Sequence, residues 1–194
     1  MKLRIKDTET TLKVIGVYQI VGGIIGYWMI ARLLMGIENI NGPLLVLILI
    51  PLFLFGFSIQ SGNLLLQKEK RKKGLIFSSI LQAMQMFAFG VGKYAFLFFS
   101  GIKLIVGFNI TDSFNIKFSA WLSDYSAKYN SDNEVYYFYL NLVAVFLLYV
   151  LIDIYEEFTK ENKRNRISVS EYGPELTDKG TDDSIVYETN ENFH

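Results

Sequence analysis

Six polar side chains lie within or at the edge of long apolar runs: Gln19, Gln60, Asn63, Gln82, Gln85 and Asp153. Amides and a lone carboxylate in that setting can hydrogen-bond between helices, or they can line a hydrated path for ions. Other chemistry is hard to build. His194 is the only histidine and there is no cysteine, which excludes an internal imidazole base, a Ser-His-Asp triad, a thiolate nucleophile, His-ligated haem and thiolate zinc. An intramembrane aspartyl protease needs two facing acids, and Asp153 has no such partner in its run. Gly90-Val91-Gly92-Lys93 lacks the glycine at Phe87 and the Ser or Thr at Tyr94 that a phosphate loop requires. The expectation is a protein that acts without catalysis, cofactor or metal.

The elements that must carry these residues are read from the apolar runs. Of 194 residues, 51% are hydrophobic and 15% aromatic beside 20% charged, and that mixture implies long apolar segments separated by polar blocks. Four uncharged runs, 14–31, 43–67, 74–92 and 135–152, approach the ~20 residues needed to cross a bilayer as helix. The expected fold is therefore a mainly α membrane protein, a four-helix transmembrane bundle with spans at about 14–35, 43–67, 74–93 and 135–157. Converted to height at ~1.5 Å per residue, Gln19, Gln60, Asn63, Gln82 and Asp153 fall within roughly 10 Å of one boundary. Ser78, Gln82 and Gln85 share a helix face at i, i+4 and i+7. These residues form a candidate polar layer, which as a structural feature fixes the bundle register and as a functional one lines a vestibule; Asn141 is a weaker member.

Positive charge sets the expected orientation. Fourteen of the 19 basic residues lie before the first run, between the second and third, or after the fourth, and such loops stay cytoplasmic. Both termini are expected in the cytoplasm of a bacterial cell, with a multi-pass chain in the inner membrane. Lys68, Lys70, Arg71, Lys72 and Lys73 then read as an anionic-lipid contact; no aromatic residue interrupts them, which argues against nucleic acid. Gly22 and Gly26 form a G-x-x-x-G that lets another helix approach, from the same chain or from a second protomer.

Between the last two runs the period changes to two: Ile102, Leu104, Val106, Phe108 and Ile110, then Phe114, Ile116 and Phe118 after Thr111-Asp112-Ser113. That alternation predicts an outer β-ribbon over about 102–122, with a third strand allowed around 121–129. Residues 159–194 are basic and then acidic, poor in large apolar side chains, and are expected to form a disordered cytoplasmic tail beyond a membrane domain of residues 1–158. The leading functional expectation is a membrane subunit or scaffold for a cytoplasmic partner held through that tail. Its alternative is a small oligomeric channel or permeabilising effector; on architecture alone this resembles small membrane proteins of bacterial defence systems.

Overall fold

Two of the four runs change period part-way along, and the fold follows the change. The computed structural model describes residues 7–37 and 41–171, with side chains as far as Lys160. Helix α1 (Thr8–Leu34) starts at Asp7, whose carboxylate accepts from the Thr10 amide at 2.6 Å, a bond that also lowers its pKa. Helix α2 (Gly42–Leu66) is capped by Asn41, carries Pro43 in its first turn and continues through Pro51. After a short turn, Lys68–Lys70, helix α3 (Arg71–Met86) ends where the chain becomes strand β1 (Phe87–Gly92). Then come β2 (Tyr94–Phe99), β3 (Lys103–Asn109), β4 (Asn115–Trp121), β5 (Asp124–Lys128) and β6 (Val135–Asn141), followed by helix α4 (Leu142–Glu171).

A four-helix transmembrane bundle is therefore not the fold. Only α1 and α2 among the described helices are long and apolar enough to cross a membrane. The run 74–92 is part helix and part strand, and α3 with its 16 residues reaches ~24 Å, short of a ~30 Å hydrocarbon core. The run 135–152 likewise divides at Asn141. Its first five residues, Val-Tyr-Tyr-Phe-Tyr, are of the β-branched and aromatic types that suit strands. Asn141 then caps α4, its Oδ1 accepting from the Val143 amide at 3.2 Å. A hydropathy count sums over such a change of period without seeing it.

The expected ribbon is present as the β3–β4 hairpin, but it is one edge of a six-stranded antiparallel sheet ordered β4-β3-β6-β1-β2-β5. The third strand exists as β5, which pairs with β2 at the opposite edge. The compact unit ends at Phe158, whereas α4 runs on to Glu171. Residues 159–171 are thus helical rather than disordered, since no Gly or Pro interrupts them before Gly173-Pro174. The rest of the expected tail lies outside the described residues.

Register assigns every strand residue to one of two faces. Phe89, Phe138, Phe108 and Ile116 line up across four strands, as do Phe87, Leu140, Val106 and Phe118. The other face carries Lys103, Asn109, Lys117, Asp124, Tyr137 and Tyr139. It is concave. Lys103 on β3 pairs with Asp124 on β5 at 2.5 Å, although three strands lie between them and four spacings of ~4.8 Å separate them in a flat sheet. Phe99, Ile105, Ala88 and Tyr139 fill the hollow beneath that pair. Gly90 opposite Tyr137 leaves room for that ring, which stacks on Tyr139 with centroids 4.8 Å apart, while a Cβ at Gly107 would meet the backbone of Phe138 and Tyr139.

Candidate functional site: a buried layer of amides and serines

Helix α3 presents Ser78, Gln82 and Gln85 to the α1–α2 hairpin, and all three are buried. Gln19 meets them from α1 and Ser58 from α2; Ser100 arrives at the end of β2. Ser78 Oγ donates to Gln19 Oε1 at 2.9 Å, Ser58 Oγ donates to the Gln19 carbonyl at 2.9 Å, and the hydroxyls of Ser58 and Ser100 lie 2.8 Å apart. Gln85 Oε1 accepts from the Ser100 amide at 2.9 Å. Ser123, just before β5, accepts from the Gly101 amide at 2.8 Å and donates to the Gly22 carbonyl at 3.0 Å. Helix hairpin, α3 and sheet are thus joined through one polar layer.

The layer is incompletely paired. Nε2 of Gln19 and Gln85 and both amide atoms of Gln82 are buried without a hydrogen-bond partner. Each such group costs about 1–3 kcal/mol if it stays dry. Four of the seven buried side-chain N and O atoms that lack a hydrogen-bond partner among the described residues belong to this layer, the others being Nε and Nη2 of Arg71 and the Tyr125 hydroxyl, so the layer concentrates the unpaired groups.

Placement of the sequence candidates divides cleanly. Gln19, Gln82 and Gln85 come together, whereas Gln60 and Asn63 are exposed on the outer side of α2 and Asp153 is half-buried on α4, apart from the bonds just described. Ser58 and Ser61 take the inward places on α2. The signal was available: Ser58, Ser61 and Gly62, at i, i+3 and i+4, share a face with the buried Leu54, Phe55 and Leu65, while Gln60 lies about 200° around the helix from Ser58. Ser61 Oγ bonds back to its own helix at Phe57. Asn141 belongs to the sheet–α4 junction, where it also accepts from the Leu104 amide.

Gly22 and Gly26 pack within the chain. A Cβ at Gly26 would run into the Phe55 ring of α2, and one at Gly22 would meet the backbone of Ser100 and Gly101. At the other end of α1, Glu9 lies 3.2 Å from Lys13, 3.3 Å from Arg71 and 3.7 Å from Lys68, while Lys70, Lys72 and Lys73 are exposed. The basic run therefore gathers beside the start of α1, with two of its members turned to an acid. No group of three potential metal-ligating side chains occurs among the described residues.

No protein-family model, curated protein or solved structure matches this chain. The functional reading rests on its own geometry.

Proposed function

We propose that the chain is a non-enzymatic integral membrane protein, held by α1 and α2, that serves as a membrane subunit or scaffold for a cytoplasmic partner. One observation carries this reading: large apolar side chains cover the outside of the two helices as well as filling the core. Val14, Val17, Val21, Ile24 and Trp28 form an exposed apolar stripe on α1, and Leu45, Val46, Leu49 and Phe53 form another on α2, while amides, serines and an ion pair occupy the interior. Large contiguous apolar surface of this kind marks contact with lipid or protein. Phe158 packs on the same cluster as Leu12 and Leu75, so the compact unit ends near the basic groups Lys13, Arg71, Lys72 and Lys73. By the positive-inside rule that end is cytoplasmic, and the basic-then-acidic residues 159–194 follow from it. Full-length protein is expected to stay in membranes through an alkaline carbonate wash, and a chain lacking residues 167–194 should remain there but lose its co-purifying cytoplasmic partner. Extraction of the full-length chain by carbonate would overturn the anchor, and unchanged co-purification would overturn the tail.

The orphaned amides favour a second reading, a small channel or permeabilising oligomer with Gln19 and Gln82 beside the hydrated path. Dry amides are costly, and amides that line a path are hydrated by it. Gln19→Leu with Gln82→Leu is expected to abolish dye or ion leakage from reconstituted vesicles while the protein keeps its thermal stability. If the unmutated chain releases nothing, or if the double variant leaks as before and merely gains about 1 kcal/mol of stability, the layer is a packing device and this reading falls.

A further inference from the structure

We propose that the convex face of the sheet contacts lipid, so that β4, β3, β6 and β1 lie against the acyl chains beside the α1–α2 hairpin. This deepens the membrane reading and rests on it. The face is long, apolar and open: Ile116 is 75% exposed, Phe118 68%, Val91 63%, and Phe108, Phe138 and Phe89 each more than a third. No charged residue interrupts it from β4 to β1, while Lys103, Lys117, Asp124 and Lys128 all project on the concave side. Such an arrangement, with an uncharged apolar outer face and the charged groups confined to the inner one, is the one expected of a sheet whose outer solvent is hydrocarbon.

Continuity with the spanning helices identifies the occupant as a bilayer. At its β2–β5 end the same face is already buried, because Phe98, with Phe96 and Tyr125 packed beside it, clusters with Ile30 of α1 and Ile48 and Phe55 of α2. Phe55 and Phe98 rings are 5.3 Å apart. A sheet in contact with the middle of the apolar run of α2 sits at the depth of that run, and the remainder of its face must meet whatever surrounds the helices. Tyr136 and Tyr94 flank Val91 at one end of the face, as phenols do at a headgroup boundary. At the turn end of β4 lies a hollow of about 300 Å³ lined by Asn109, Asp112, Ser113, Asn115, Ile116 and Lys117. Unpaired backbone groups are tolerated at membrane depth only where they face protein or a water-filled cavity, and this hollow offers such a place at the turn end of β4.

The chain has no cysteine, so a label can be placed at will. Single substitutions Asn115→Cys through Ala120→Cys, and Ile24→Cys on α1 as the anchor reference, would carry a nitrobenzoxadiazole fluorophore in full-length protein reconstituted into phosphatidylcholine–phosphatidylglycerol vesicles. Labels at 116, 118 and 120 are expected to be quenched by doxyl-labelled acyl chains at least about three-fold more than those at 115, 117 and 119, which aqueous iodide should quench instead. Quenching at Ile24 with no alternation along β4 would overturn the sheet proposal and leave the helical anchor standing. Absence of lipid quenching at Ile24 as well would overturn both. Positions 116 and 118 shielded from lipid and iodide alike would show a second copy on the face, and that too would overturn the proposal.

Discussion

Gly22→Leu is expected to reduce the yield of folded protein, with a cost of about 4 kcal/mol and a melting temperature in detergent lower by roughly 10 °C. An ideal Cβ at Gly22 falls 2.5 Å from the Gly101 nitrogen and 2.8 Å from both Gly101 Cα and the Ser100 carbonyl carbon. These are backbone atoms, so no rotamer can give way. Gly101 is itself at φ +98°, a conformation few other residues accept, and the Tyr18 ring fills the space where its own Cβ would stand. Displacing this turn breaks the Ser123 bridge between the Gly101 amide and the Gly22 carbonyl, and beyond it the bonds of Ser100 to Ser58 and Gln85. Overpacking contributes about 1–3 kcal/mol and the orphaned groups a comparable amount. Gly42→Ala is the matched control, since nothing lies within 4 Å of that position at the start of α2; it should be neutral or gain up to about 1 kcal/mol. Equal melting temperatures for Gly22→Leu and the unmutated chain would disprove the helix–sheet seam.

The Lys103–Asp124 pair should show an unequal cycle. Asp124→Leu alone leaves an ammonium group on a side chain only 6% exposed, over the Phe99 ring, with its counter-ion gone. That costs about 3–5 kcal/mol. Lys103→Met alone leaves a carboxylate that is 36% exposed and still reaches water, so it should cost less than half as much. The double variant Lys103→Met with Asp124→Leu is expected within about 1 kcal/mol of the unmutated protein, because both charges disappear together and the hollow is already lined by Phe99 and Ile105. Unfolding of the four proteins in one detergent gives the coupling directly. Strictly additive single effects would mean that β3 and β5 do not meet, and the sheet would then have to be flat.

Much of the site was legible before the fold was known, and some of it was misplaced for identifiable reasons. Ser78, Gln82 and Gln85 share a face at α-helical geometry, so their convergence needed only the knowledge that α3 is an α-helix there. Height alone groups Gln60 and Asn63 with them. Height along a helix says nothing about azimuth, and the two project on the outer side of α2 while Ser58 and Ser61 project inward. Ser100 and Ser123 come from the ends and connections of strands, and no spacing in the chain relates them to Gln19, 81 and 104 residues away.

What the sequence determined by itself is local and periodic. Uncharged length marked α1 and α2, strict alternation marked the β3–β4 hairpin, and the absence of cysteine and internal histidine removed whole classes of chemistry. These properties depend only on neighbours a few residues apart. Tertiary structure alone decided that Phe87–Gly92 and Val135–Asn141 are strands, because an uncharged aromatic run satisfies a buried strand and a membrane helix equally well until its hydrogen-bond partners are known. β1 and β6 pair with each other across more than forty residues of chain. That pairing turns two apparent spans into the middle of a sheet, sets its apolar face beside the helices and closes the polar layer between them.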